Sequence, residues 1–97
     1  MASKKQRFTE NNVSNAPTKP GIYILTTYGE VTYIGKGEGN GGIKSRLQAA
    51  QRDTRKKGKA TSFQMERCKQ PSEREKQLLE QHLKRYGKLP RHNRRIG

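Results

Sequence analysis

Two tripeptides on either side of a turn, Gly21-Ile22-Tyr23 and Tyr33-Ile34-Gly35, constrain the fold of this chain more than any other feature. Each places a tyrosine near a glycine in a β-branched and aromatic segment, and Tyr28-Gly29-Glu30 supplies the turn between them. Such segments joined through a glycine predict a short antiparallel hairpin, with strands over residues 22–27 and 31–34. The two tyrosines would then lie on neighbouring strands, where their hydroxyl groups can hold a water molecule or accept its proton.

The segments that follow the hairpin show a helical pattern and then a strand pattern. Ile43, Leu47 and Ala50 recur at positions i, i+4 and i+7, which predicts a helix over residues 42–53 with one apolar stripe. Alternating apolar residues predict a third strand over residues 61–68. The order of strand, strand, helix and strand indicates an α+β fold.

A second helix is predicted after residue 71. Ser72 and Glu75 have the spacing of a capping box, and Gly87 is expected to end the helix. The buried stripe of this helix is expected to contain Leu78, Leu79, Leu83 and Tyr86. Glu80 falls roughly 60° beyond the edge of that stripe, where a carboxylate can face a cleft without being buried.

The supply of hydrophobic residues limits the size of the core. Only 28% of the 97 residues are hydrophobic, so we expect one small domain. Residues 1–19 are polar and proline-containing, which predicts a flexible basic N-terminal arm before a folded domain over residues 20–97. The single cysteine, Cys68, excludes an internal disulfide and a cysteine-based zinc cluster, and it fits a cytoplasmic or nucleoid-associated protein.

The charge of the chain indicates a polyanionic partner. There are 22 Lys and Arg residues against 8 Asp and Glu residues, which gives a formal net charge of +14. No apolar run approaches the roughly 18 residues that a membrane span needs, so no membrane partner is expected. The side chains predicted to contact nucleic acid backbone are Lys44, Arg52, Arg55, Lys56, Lys57 and Lys59.

The order of these features resembles the GIY-YIG nucleases. Members of that family carry the two tripeptides, then a helical arginine, a helical glutamate and an asparagine. The residues that match these features are Tyr23, Tyr33, Gly35, Arg46, Glu80 and Asn93. The resemblance spans about residues 20 to 94. It implies a small three-stranded antiparallel sheet flanked by helices, which agrees with the elements predicted above.

The resemblance also implies an endonuclease that hydrolyses phosphodiester bonds with one divalent ion per site, Mg²⁺ or Mn²⁺, bound by Glu80. Arg46 and the ion would share the stabilisation of charge on the phosphate. Tyr23, helped by Tyr33, would take the proton of the attacking water, and the sequence does not decide which tyrosine acts. The remaining residues assigned to the site are Gly21, Gly35, Lys36 and Asn93, of which Lys36 would favour the phenolate and Asn93 could simply hold the tail to the hairpin.

A noncatalytic, basic DNA- or RNA-binding protein is the alternative, and charge alone favours it. Glu80 favours the enzyme, because a carboxylate beside a polyanion repels phosphate unless a cation intervenes. DNA is the expected partner ahead of RNA. The sequence leaves open whether the chain forms a homodimer or depends on a targeting protein, although a double-strand break would need two sites.

Overall fold

The computed structural model describes residues 4–52 and 60–93. Within them the chain forms a four-stranded antiparallel sheet and three helices. The strands are β1 (Gln6–Arg7), β2 (Gly21–Thr27), β3 (Glu30–Gly37) and β4 (Ser62–Arg67), and the helices are α1 (Glu10–Ser14), α2 (Gly42–Arg52) and α3 (Pro71–Tyr86). The order of the strands in the sheet is β1-β4-β2-β3. The predicted α+β class is confirmed, with four strands instead of the expected three.

The extra strand belongs to the segment that was predicted to be a flexible arm, and that prediction is wrong over residues 6–16. Strand β1 pairs with the outer edge of β4. Helix α1 follows it and buries Val13 and Ala16 in the core. The side chain of Thr9 caps α1 by accepting a hydrogen bond from the backbone N–H of Asn12 at 3.1 Å.

The predicted hairpin is confirmed, and its register brings the two tripeptides side by side. Tyr23 lies opposite Gly35, and Leu25 lies opposite Tyr33. A two-residue turn connects the strands, and both of its residues, Tyr28 and Gly29, have positive φ angles of 47° and 87°. Positive φ at both central positions is the geometry that matches the twist of paired strands.

The two faces of the sheet are covered by different helices. Helices α1 and α2 cover the face that carries Tyr23, Leu25 and Phe63, and this side holds the main hydrophobic cluster. Helix α3 lies against the other face, because its side chains contact Lys36 of β3 and Glu66 of β4. Of the described strands, β3 is at the edge of the sheet and has a helix on each side.

Helix α3 begins two residues earlier than its predicted N-cap, Ser72, would place it, and the predicted capping box is wrong. Gln70 is the N-cap, and it makes no capping hydrogen bond with its side chain. Pro71 occupies the first turn, where its missing N–H costs nothing. The end is as predicted, because Gly87 adopts the left-handed conformation and its N–H donates to Leu83 O at 2.8 Å. Within the described part of the chain, no helix has the length and apolar character to cross a membrane.

Candidate active site

A pair of tyrosines forms the centre of the candidate site. The ring centroids of Tyr23 and Tyr33 are 5.9 Å apart. Burial is the main cause that raises the pKa of both phenols, and Tyr23 is only 1% exposed. A hydrogen bond between them raises the pKa of Tyr23 and lowers that of Tyr33, so it favours ionisation of Tyr33 over ionisation of Tyr23. Tyr33 is half-buried, so its phenol is the more accessible of the two.

Gly35 provides the space in which the two phenols meet. It lies opposite Tyr23 in the register and two residues after Tyr33 on the same face of β3. A Cβ at this position would come within 2.6 Å of the ring and hydroxyl of Tyr23 and of the ring of Tyr33. The glycine of the second tripeptide therefore keeps the tyrosine pair together.

Arg46 supplies positive charge to the pair. It is exposed on α2, and the next residue, Leu47, is fully buried in the core and fixes the helix against the sheet. The guanidinium lowers the pKa of both Tyr23 and Tyr33, which opposes the effect of burial. The helix predicted from the apolar stripe thus brings the predicted arginine to the predicted tyrosines.

Lys36 connects the end of β3 to the first turn of α3. Its Nζ donates a hydrogen bond to Ser72 Oγ at 2.7 Å and forms an ion pair with Glu38 Oε1 at 3.3 Å. Ser72 Oγ in turn donates to Glu38 at 3.3 Å. The serine that resembled a helix cap therefore takes part in a contact between strand and helix.

Glu75 is a member of this site that the sequence pattern did not select. It lies one turn after Ser72, on the side of α3 that also carries the buried Leu79. Burial raises the pKa of Glu75, while the ammonium group of Lys36 opposes that shift. The charge of Glu75 raises the pKa of Tyr33 and, to a smaller extent, that of Tyr23. Its spacing from Leu79 was the signal that could have identified it.

Glu80 lies elsewhere on α3, exposed and about 140° around the helix axis from Glu75. The carboxylate of Glu80 makes no hydrogen bond or ion pair with residues 4–52 and 60–93. The first turn of α3 contacts Lys36 near the end of β3, and its last turn lines a cavity with Glu30 at the beginning of β3. The helix therefore runs along β3 in the opposite direction. Glu80, about 12 Å beyond the first turn, is roughly level with Tyr33 along the direction of β3, with α3 on the opposite face of the sheet.

Asn93 holds the end of the described chain to the outer edge of β3. Its Oδ1 accepts a hydrogen bond from Ile34 N at 2.9 Å, and its Nδ2 donates to Ile34 O at 3.0 Å. The N–H of His92 donates to Thr32 O at 2.9 Å. Asn93 thus binds the backbone of the residue between Tyr33 and Gly35, and its observed contacts fix the position of β3.

The other predicted residues are more dispersed. Gly21 allows β2 to approach β4, because a Cβ there would collide with the carbonyl oxygen of Glu66. Lys44 is half-buried and Arg52 is exposed, both on α2. The predicted contacts at Arg55, Lys56, Lys57 and Lys59 lie outside the described residues. Nor do the described residues contain a group of three or more His, Cys, Asp or Glu side chains that could hold a metal ion.

In three dimensions the chain resembles an endonuclease domain. The crystal structure of the N-terminal GIY-YIG endonuclease domain of UvrC from Thermotoga maritima, a point mutant bound to its catalytic divalent cation, matches with a TM-score of 0.63 and 23% sequence identity. The match covers 88% of this chain and 93% of that domain. The fold of the chain is therefore the GIY-YIG endonuclease fold.

At the level of sequence, the chain belongs to the family described as a domain of unknown function, DUF7508, whose model matches residues 1–85. None of the curated proteins matches it. The family match includes the N-terminal segment with β1 and α1, together with the two tyrosines, Arg46, Glu75 and Glu80. Asn93 lies beyond the matched range.

Proposed function

We propose that this chain is a metal-dependent endonuclease that hydrolyses phosphodiester bonds of DNA. The observation that carries this proposal is the cluster of Tyr23, Tyr33 and Arg46, in which a guanidinium acts on two hydrogen-bonded phenols. The net charge of +14 supports a polyanionic substrate, and the GIY-YIG fold supports the class of reaction.

Tyr33 is better suited to the role of proton acceptor than Tyr23, a choice that the sequence left open. A water molecule can reach the half-buried Tyr33, whereas Tyr23 is almost completely enclosed. The hydrogen bond between the two phenols lowers the pKa of Tyr33, so it stabilises a phenolate on Tyr33. In this mechanism Tyr23 orients Tyr33 and spreads the charge that Tyr33 acquires.

Arg46 would bind the phosphate group that is attacked. Its guanidinium is exposed to substrate and close enough to both phenols to lower their pKa values. A planar group with several N–H donors can hold two phosphate oxygens at once, and it stabilises the charge that builds on them during attack. Arg46 therefore positions the phosphate next to the phenol that takes the proton from water.

The residues of α3 fit a single divalent ion such as Mg²⁺. Such an ion needs only one or two protein carboxylates, because water and phosphate oxygens complete its coordination. We assign this role to Glu80, which is exposed, level with Tyr33 and without an ion-pair partner among the described residues. Glu75 is less suitable, because the ammonium of Lys36 already lies within range of its carboxylate. When bound, the ion would stabilise negative charge on the phosphate and on the leaving oxygen.

Nicking of supercoiled plasmid in Mg²⁺ or Mn²⁺ tests the proposal. We expect the wild-type protein to nick, and we expect Glu80→Gln to bind DNA with unchanged affinity and to leave it intact. Glu73→Gln is the matched control, because Glu73 is exposed on the same helix and lies outside the site. Equal nicking by the Glu80→Gln and wild-type proteins would refute the assignment of Glu80.

A noncatalytic DNA- or RNA-binding protein is the second candidate, because the charge of the chain alone would produce backbone affinity. That function predicts binding that weakens steeply with salt and no cleavage at any concentration of divalent ion. Binding without cleavage across supercoiled, linear, single-stranded and branched substrates would select it over the nuclease.

A further inference from the structure

A cavity of about 470 Å³ lies between the β2–β3 turn and the end of α3, away from the phenols. Its lining includes Val31, His82, Tyr86, Leu89 and Pro90, and we call it the Tyr86 cavity. The volume falls in the range of natural small-molecule sites, and the mixture of apolar walls with a few polar groups is typical of them.

Tyr86 is exposed at this cavity for a geometric reason. Its spacing from the buried Leu79 puts both residues on the same side of α3, and we therefore expected Tyr86 to be buried. Tyr86 is instead 57% exposed, because the last turn of α3 is level with Glu30, where β3 begins and the sheet ends. The ring thus extends past the sheet and forms a wall of the cavity.

The aromatic wall is held in place. The ring of His82 packs against that of Tyr86 in a tilted arrangement, with a centroid distance of 4.6 Å and an interplanar angle of 44°. His82 Nδ1 is 2.9 Å from the carbonyl oxygen of Lys88, which ties the imidazole to the loop after α3. An aromatic ring that is restrained by a neighbouring ring offers a surface on which a flat ligand can stack at a low entropic cost.

Positive charge surrounds this wall. Lys88 and Arg91 line the cavity, and the guanidinium of Arg85 lies 5.4 Å from the centroid of the Tyr86 ring. The carboxylate of Glu30 also lines the cavity, and Arg91 pairs with it at 3.2 Å. Aromatic rings flanked by cations are the combination that binds unpaired nucleotides, with the base on the ring and the phosphate near the cations.

The cavity and the candidate active site lie at neighbouring positions along β3. Val31 lines the cavity, and it precedes Tyr33 by two residues, about 7 Å along the strand. One strand of DNA advances about 3.4 Å per nucleotide, so this separation corresponds to roughly two nucleotides.

We propose that the Tyr86 cavity binds an unpaired nucleotide of the DNA substrate, so that the protein prefers DNA in which a base is free to leave the duplex. This inference rests on the nucleic acid substrate of the proposed function, but it does not require cleavage. A fully paired base remains stacked inside the duplex and cannot enter the cavity without unpairing. The cavity would thereby add a preference for DNA structure to an otherwise electrostatic affinity.

Fluorescence anisotropy in EDTA tests the inference with two duplexes of equal length, one fully paired and one with a single bulged nucleotide. We expect the wild-type protein to bind the bulged duplex more tightly. Tyr86→Ala should weaken binding to the bulged duplex by about five- to 150-fold, the effect of losing one base–aromatic stack, and change binding to the paired duplex less than about twofold.

Two variants are matched controls. Tyr86→Phe keeps the ring and should keep the preference for the bulged duplex. Tyr28→Ala removes a tyrosine that is 90% exposed and outside the cavity lining, and it should also keep the preference. Equal weakening of both duplexes by Tyr86→Ala, or no preference in the wild-type protein, would overturn the inference.

Two further measurements distinguish a nucleotide site from a protein contact and from the nuclease activity. A change in oligomeric state on Tyr86→Ala, measured by sedimentation, would identify the cavity as a contact between two copies of the chain and overturn the inference. A protein that prefers bulged DNA but never cleaves it would refute the nuclease and support the cavity. Cleavage without any preference for bulged DNA would support the nuclease and refute the proposed role of the cavity.

Discussion

Replacing Asn93 with alanine should destabilise the protein, because the side chain makes two hydrogen bonds to Ile34, at 2.9 and 3.0 Å. A typical intramolecular hydrogen bond contributes about 0.5–1.5 kcal/mol net, so we expect Asn93→Ala to cost about 2 kcal/mol of unfolding free energy. For a domain of this size, that loss corresponds to a fall in Tm of roughly 8–16 °C.

Thermal denaturation followed by circular dichroism measures this effect. Asn15→Ala is the matched control, because the amide of Asn15 is exposed and, among the described residues, its one side-chain hydrogen bond is to Asn11 O at 3.1 Å. Its substitution should change stability by less than about 0.5 kcal/mol. If Asn93→Ala abolished cleavage but left Tm unchanged, Asn93 would act in the chemistry, and its assignment as a support for β3 would be refuted.

Four further predictions concern the partly buried carboxylates and the phenol pair. Burial raises the pKa of Glu75 above its ordinary 4.5, so ionisation of Glu75 disfavours the folded state. Glu75→Gln should therefore stabilise the protein at pH 7, where the carboxyl is ionised, and not at pH 3, as measured by urea denaturation. The hydrogen bond from Arg74 lowers the pKa of Glu66, so Glu66→Gln should destabilise the protein above about pH 4.5. The difference in stability between the variant and the wild-type protein should vanish as the pH falls through the lowered pKa. Gly35→Ala should cost about 1–3 kcal/mol through overpacking against the phenols and should slow nicking, whereas unchanged stability would show that the pair can move apart. The nicking rate should rise with pH above 7, and Tyr33→Phe should remove that rise. Tyr23→Phe should move the rise to higher pH, because the hydrogen bond that it removes lowers the pKa of Tyr33.

Local sequence patterns were sufficient to predict the strands and helices in which apolar residues recur over several periods. The hairpin was predictable because two β-branched and aromatic segments are joined through Gly29, and α2 was predictable from Ile43, Leu47 and Ala50. Strand β1 and helix α1 have two and five residues, too few for a period to appear. Their position depends on Val13 and on pairing with β4, a contact between residues more than 50 positions apart.

The candidate site divides in the same way. Tyr23, Tyr33 and Arg46 were found because the motif and the helical stripe specify them, and the structure brings them together. Glu75 was missed because its spacing from Ser72 was already explained by the predicted capping box. Lys36, which lies near Glu75 and bonds to Ser72, is more than 30 positions away in the chain, so only the fold reveals the contact.

The charges around Tyr33 explain why its phenol would act as a proton acceptor only after substrate has bound. Burial and the carboxylate of Glu75 raise the pKa of Tyr33 above its ordinary 10.0, and together they outweigh the opposing effects of Arg46 and the hydrogen bond from Tyr23. At pH 7 fewer than about one molecule in a thousand would then carry the phenolate. Glu75 acts electrostatically on both phenols, although its own ionisation disfavours the folded state. In a nuclease, the same glutamate keeps Tyr33 neutral until additional positive charge enters the site, so the base becomes effective only when the site is complete.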